Sequence, residues 1–281
     1  MPAKIEQEVI NKLITFYKNN NCTYKEASKH VGINRHIGAK YLRNNGFGRS
    51  KNNRRKYYQR QFEHINTEEK AYWLGFLYAD GNVATTRHAT SLGLALVDKD
   101  HVQKFADFVS KEHYKVKFDH FRARFNVGSK AMKKDLIRLG CVPRKSNILK
   151  FPDKNQVSKK FQRHFIRGYF DGDGCMSITL HANLHKKDRL SMTLGILGTH
   201  EFIRDLHQCV KINNAYIVLA NKRSTANCYQ ATYKKDQTDF LLEYMYKDCN
   251  IYLKRKFDKV VKYCRFNEKS LKLLGSKYGE G

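Results

Sequence analysis

Apolar residues in the first 46 positions recur with a helical period. Ile5, Val9, Leu13, Ile14 and Tyr17 share one face, and Thr23 stands where it would cap a second helix. Within residues 23–46, Ala27 and Val31 point to the inner side of that helix. Gly32 supplies a turn, and Ile37 and Leu42 form the inner side of the next helix. Residues 47–62 hold no aliphatic side chain and are dense in Arg, Lys, Asn and Tyr, as expected of an extended linker. From residue 63 onward helical and strand patterns alternate. Residues 121–127 alternate strictly, with Phe121, Ala123, Phe125 and Val127 on one face and Arg122, Arg124 and Asn126 on the other.

An internal repeat organises this third zone. The segment AYWLGFLYADG (71–81) is echoed by HFIRGYFDGDG (164–174), and SLGLALVDKDHVQKFADFV (91–109) by SMTLGILGTHEFIRDLHQCV (191–210). Each copy of the first segment leads into a strand pair, a helix, further strand and another helix. The interval from Asp80 to Ser91 is 11 positions and that from Asp173 to Ser191 is 18, a difference assigned to a longer hairpin tip around HANLHKKD. The expected organisation is a helical domain at 1–46, a linker at 47–62, half-domains at 63–155 and 156–270, and a tail at 271–281. The fold class is α+β.

Composition adds a partner. A formal net charge of +28 on 281 residues points to a polyanion, most often nucleic acid, and a ribosomal-type RNA binder fits as well as a DNA binder. Seven scattered cysteines, none in C-x-x-C spacing, argue against a zinc ribbon or a disulfide framework and for reduced thiols. The N-terminus has charges where a signal peptide needs an apolar stretch. No apolar run approaches the ~20 residues that span a bilayer. The expectation is a non-secreted protein with no membrane partner, in a cytoplasmic, organellar or viral-host compartment with access to DNA. It begins with Met and shows no splicing-junction residues, which disfavours an intein. Neither G-x-x-x-x-G-K nor G-x-G-x-x-G occurs, so no nucleotide cofactor is expected.

The two repeated helices carry the chemistry. Asp80 and Asp173 fall in their last turns, with Gly81 and Gly174 placed for a left-handed C′ position. A carboxylate there faces the negative end of the helix dipole, unfavourable by roughly 0.3–1 kcal/mol. Two such residues at matching positions point to a cation that offsets the repulsion. Small residues four apart, Gly75 with Ala79 and Gly168 with Gly172, would let the helices approach closely at Gly75 and Gly168 and bring the acids together. Paired carboxylates of this kind hold a hard divalent cation, Mg2+ or Mn2+, at a site that includes Ala79 and Gly172, and serve phosphodiester hydrolysis. DGDG also resembles half of a calcium loop, but no closing Glu follows at the required spacing.

At these residues the chain resembles the LAGLIDADG homing endonucleases. WLGFLYADG (73–81) and IRGYFDGDG (166–174) match the nine-residue motif at the glycine, the aliphatic or aromatic positions, the later acid and the final glycine. The first copy has Tyr78 where the motif has its earlier acid; the second keeps Asp171. The resemblance covers roughly residues 63–266. It implies duplicated αββαββα half-domains related by a pseudo-twofold axis, with the sheets saddled over a DNA major groove. It also implies that Asp80 and Asp173 bind metal, and that a monomer makes a double-strand break in a long asymmetric site, as in intron homing. By position in CVPRKSNIL (141–149) and IYLKRKFDKV (251–260), it implies Lys145 and Lys256 as basic groups near the scissile phosphates. A phosphate-contacting or solvated lysine remains open at both. An RNA maturase assisting splicing and a non-cutting DNA-binding regulator remain alternative functions.

The DNA-contacting residues expected from this reading fall in three sets. In the helix-turn-helix they are Asn34, Arg35, His36, Lys40 and Arg43, with an ordinary helical hairpin as the alternative. In the linker they are Arg54, Arg55 and Lys56. On the sheets they are Arg87, Lys115, Lys117, Arg122, Arg124, His181, Lys186, Lys222 and Arg223.

Overall fold

The computed structural model describes residues 6–20, 22–47, 56–182, 188–213, 215–219, 227–267 and 274. Ile5, Arg54, Arg55, Lys186, Lys222 and Arg223 lie outside them. The chain divides into two compact units, Met1–Lys56 and Tyr57–Gly281.

The first unit contains α1 (Gln7–Asn19), α2 (Tyr24–His30) and α3 (Arg35–Leu42). Thr23 caps α2 reciprocally: its hydroxyl accepts from Glu26 N at 3.3 Å, and the Glu26 carboxylate accepts from Thr23 N at 2.7 Å. Gly32, at φ +70°, makes the turn into α3. A Cβ on Gly38 would overlap the Ser28 hydroxyl, so α2 and α3 cross in close contact there. Leu13, Ala27 and Leu42 form the small core. Two sequence expectations need correction. Ile37 is exposed, because Gly38 and Leu42, four apart, set the inner face of α3 and leave Ile37 beside it. The buried face of α1 is centred on Ile10 and Leu13, with Val9 only half-buried.

The second unit is α+β and is built twice. Helix α4 (Glu68–Ala79) runs into β1 (Gly81–Val83) and β2 (Ala89–Ala95). Then come α5 (Lys99–Val109), β3 (Lys117–Phe118), β4 (Arg122–Gly128) and α6 (Lys130–Arg138). The second copy runs α7 (Lys159–Asp173), β5 (Gly174–His181), β6 (Arg189–Gly198), α8 (His200–Val210), β7 (Tyr216–Leu219), β8 (Tyr229–Lys234) and α9 (Asp236–Tyr246). Each half forms a four-stranded antiparallel sheet in the same order, β1-β2-β4-β3 and β5-β6-β8-β7. A further helix, α10 (Lys254–Phe266), follows the second half, whereas the corresponding place after the first half holds only a short 3-10 turn at Lys145–Asn147.

Helices α4 and α7 form the seam between the halves. Every residue of α4 from Ala71 to Tyr78 is buried, as befits a helix apolar on all sides. A Cβ on Gly75 would overlap the Phe165 carbonyl and come within 2.8 Å of Tyr169 N. One on Gly168 would overlap the Tyr72 carbonyl. The two glycines therefore mark the crossing point, where only a missing side chain lets the backbones meet.

Three boundaries differ from the sequence pattern. Tyr57 and Phe62, assigned to the linker, are buried in the core of the second unit, and Tyr57 bridges to Ser110. Their aromatic bulk supplies the burial that aliphatic residues would otherwise supply. Phe121 precedes β4 and is 81% exposed, while Ala123, Phe125 and Val127 are buried as the alternation requires. In the segment read as a tail, Leu274 is buried and its carbonyl accepts from Asp248 N at 3.3 Å.

Candidate active site

Both central helices pass into the first strand of a sheet with no intervening loop. Asp80 caps α4 and Gly81 opens β1; Asp173 ends α7 and Gly174 opens β5. The glycines are not left-handed as expected. Gly174 is extended, at φ −76° and ψ 151°, and Gly81 is not among the positive-φ residues. They are needed for space: a Cβ on Gly81 would sit 2.5 Å from Leu77 O, and one on Gly174 would overlap Phe170. The sharp exit drives the chain back over its own last turn and holds each acid at the helix–strand corner.

The two acids lie at the same place on the seam. A Cβ on Gly172 would overlap that of Ala79 and fall 3.1 Å from Asp80 Oδ2. Burial, reinforced by the charge of Asp80, pushes the Asp173 pKa up to about 6. Burial raises Asp80 as well, opposed by the charges of Lys256 and Lys145. These are two partly desolvated carboxyls that disfavour each other's ionisation.

The two lysines differ. Lys145 is half-buried in its 3-10 turn, directly after Arg144 at φ 53°, and donates to Gly81 O. Lys256 is 4% exposed, and its ammonium donates to Phe170 O at 2.6 Å, Gly174 O at 2.5 Å and Gly172 O at 3.2 Å. Those carbonyls lie in the last turn of α7 and at the start of β5, so Lys256 braces the helix–strand corner and neutralises the negative end of the helix. Burial pulls its pKa down to about 8, against the opposing pull of Asp171, Asp80 and Asp173. With its three donors taken by three carbonyls, Lys256 orients the turn that bears Asp173.

Behind the corner the halves are unlike. Asp171 is fully buried and accepts from Tyr72 Oη at 2.8 Å, Tyr246 Oη at 2.6 Å and Leu253 N at 2.7 Å. Tyr72 Oη also lies 2.9 Å from His101 Nε2, so the network spans both halves. At the matching position of the first half, Tyr78 instead donates its hydroxyl to Leu139 O beneath Gly140, at φ +92°.

The open faces of the sheets are polar. On the first, Lys117 pairs with Arg124 and Arg124 with Gly93, and Arg122, Arg124 and Asn126 all face outward. Lys115 is exposed just before β3, and Arg87 is exposed in the β1–β2 loop. On the second, His181 is exposed and lies 2.7 Å from Ser191 Oγ. This face also carries Ser177, Thr179, Arg189, Thr193, Gln230 and Lys234. The sequence reading missed these residues, although the odd-position polar alternation of β5 would have shown Ser177 and Thr179. In the first unit Asn34, Arg35, His36, Lys40 and Arg43 are all exposed; Asn34 caps α3 by accepting from His36 N at 2.8 Å. Lys56 is exposed too.

The donor set at Asp80 and Asp173 fits a hard divalent cation. Among the described residues no three His, Cys, Asp or Glu side chains cluster as a metal cage. Two carboxyls beside backbone carbonyls make an all-oxygen donor set of the kind Mg2+ takes. Among the described residues no helix is long and apolar enough to cross a membrane.

No family model matches the chain, and no curated protein matches it. Among solved structures it is similar to the LAGLIDADG meganuclease I-AabMI bound to uncleaved DNA, at 11% identity and TM-score 0.47, covering 74% of this chain and 94% of that one. It is also similar to the meganuclease I-SmaMI bound to uncleavable DNA, at 11% identity and TM-score 0.44, covering 73% and 93%. The I-LtrWI LAGLIDADG homing endonuclease bound to target DNA stands with these, at 11% identity and TM-score 0.44, covering 73% of this chain and 92% of that one.

Proposed function

We propose that the protein is a divalent-cation-dependent DNA endonuclease of the LAGLIDADG homing type, cutting both strands of a specific, asymmetric site as a monomer. The observation that carries this reading is the meeting of Asp80 and Asp173 at the seam of a duplicated fold, with the charges of Lys145 and Lys256 acting on both. Two half-domains with different outward residues, among them Arg122, Arg124 and Asn126 on one sheet and Ser177, Thr179 and Gln230 on the other, suit a target whose halves differ in sequence. Net charge of +28 and the Lys117, Arg122 and Arg124 face supply the attraction for phosphates.

In this mechanism the two carboxylates would be held ready-made by the glycine corners and by Lys256, so that little reorganisation accompanies reaction. A bound Mg2+ or Mn2+ would supply Lewis-acid stabilisation of the phosphate and a more acidic water, with Asp80, Asp173 and the carbonyl of Ala79 as its protein ligands; the carbonyl of Gly172, the further ligand expected from the sequence, would share its oxygen with the Lys256 ammonium at 3.2 Å. Lys145 brings a positive charge to the Asp80 side, where negative charge grows on the phosphate. Outward residues of both sheets, and α3 of the first unit, would read the base edges and hold the backbone.

The test is selection of cleaved sites from a randomised DNA library with Mg2+, followed by Asp80→Asn and Asp173→Asn on a recovered duplex. Each variant should lose double-strand cleavage while binding stays within about tenfold, because these groups make few groove contacts. Binding should fall steeply with salt, with a log–log slope of about −0.9 per phosphate contact. A double variant that cuts at the wild-type rate would remove the proposed site.

A further inference from the structure

Helix α10 begins against its own dipole. Lys254, Arg255 and Lys256 fill its first turn, and no acid accompanies them there. Each cation has a separate partner. Lys254 pairs with Asp258 on the surface at 2.7 Å, Lys256 holds the carbonyls of α7, and Arg255 reaches into the other half. Arg255 Nε donates to both carboxylate oxygens of Asp98, at 2.9 and 3.1 Å.

Asp98 is itself out of character. It stands in the N-cap position of α5, where an aspartate ordinarily accepts from a helix N–H, yet it makes no cap bond. Its carboxylate is buried and turned to Arg255 instead. The matching residue in the other half, Thr199, does both jobs. Its hydroxyl accepts from Phe202 N at 3.1 Å, capping α8, and donates to Leu149 O at 2.5 Å. Leu149 lies four residues beyond Lys145. The residue that begins each half's middle helix thus grips the lysine-bearing segment of the opposite half, once by an ion pair and once by a neutral hydrogen bond. A cap forgone and cations set against a dipole are local violations that the assembled fold must compensate.

We propose that Asp98 is a positioning residue which, through Arg255, fixes the first turn of α10 and so holds Lys256 on the carbonyls flanking Asp173. The pair makes the Asp173 side of the site depend on the first half-domain. This inference rests on the endonuclease reading. It assigns Asp98 to the cut served by Lys256 and leaves the Lys145 side to Thr199.

The experiment uses the full chain and a duplex recovered from the randomised library, labelled separately on each strand. The strand served by Lys256 is the one whose cut Lys256→Met slows more. Asp98→Asn should slow that strand about tenfold or more and the other much less, so that a nicked product accumulates. Combining Asp98→Arg with Arg255→Asp should restore paired cutting. Equal slowing of both strands, or of neither, overturns the proposal. If the wild type cuts no duplex, the endonuclease reading falls, and the clamp is judged by hydrogen exchange. Faster exchange in residues 253–258 of the Asp98→Asn variant, with the rest unchanged, supports the clamp; unchanged exchange there overturns it.

Discussion

Replacing Arg167 with methionine tests the seam where the halves are fastened. Arg167 is fully buried, and its donors are all directed. Nε donates to Ile251 O at 2.9 Å, Nη1 to Met245 O at 2.7 Å and Nη2 to Glu68 Oε1 at 2.6 Å. The guanidinium also lies 5.5 Å from the centre of the Tyr72 ring. Methionine fills most of the volume but leaves two carbonyls and a partly buried carboxylate unmatched. Breaking a buried pair from one side costs about 3–5 kcal/mol. Glu68 keeps its bonds from Asn250 N and Nδ2, both at 2.8 Å, so the lower end of that range is expected. Trp73, the sole tryptophan, is fully buried beside this seam and reports unfolding of the second unit by fluorescence. With an m-value of about 3 kcal/mol/M, the urea midpoint should fall by about 1 M with m unchanged. Glu68→Gln should cost less, and Arg167→Met with Glu68→Met should recover part of the loss, because no lone charge is then left behind. A midpoint shift of under about 0.3 M for Arg167→Met, or a double variant as unstable as the sum of the singles, would refute the account.

Further outcomes follow from single groups. Lys256→Met should lower the urea midpoint as well as cleavage, since three carbonyls lose their donor, whereas Lys145→Met should reduce cleavage with little change in stability; equal midpoint losses would contradict the distinction. Burial, aided by the charge of Lys104, holds the His101 pKa down to about 3. The folded chain therefore refuses a proton that the unfolded chain accepts below its ordinary pKa of about 6.5, and stability present above that pH is lost as pH falls toward 3, at up to about 1.4 kcal/mol per unit. His101→Gln should flatten that slope in urea titrations between pH 6.5 and 4. Removing residues 1–56, and not Tyr57 or Phe62, should shorten a DNA footprint at one end and weaken binding while the cut position stays; an unchanged footprint would exclude α3 from the interface.

Much of this protein is legible in local pattern. The duplicated helix ending in Asp80 and Asp173, the alternation of β4 and the capping of α2 by Thr23 all repeat with the period of a helix or strand, or within four residues. Such features depend on backbone geometry alone, so the chain states them wherever it folds. Other features depend on which faces meet. Arg167 and Glu68 are 99 positions apart, and Arg255 and Asp98 are 157 apart; nothing near either residue announces its partner. The motif position singles out Lys256, but its grip on the Phe170, Gly172 and Gly174 carbonyls appears only when α10 is seen to carry it onto the end of α7. Gly81 and Gly174 read as turn glycines, yet their purpose is steric room, which appears only when the strand doubles back on its helix. Tyr57 and Phe62 look like linker residues because burial there is set by a core assembled from distant strands. Local periodicity is written by short-range sterics and solvation, while pairing across the seam is chosen by the packing of two halves, and only the folded chain decides it.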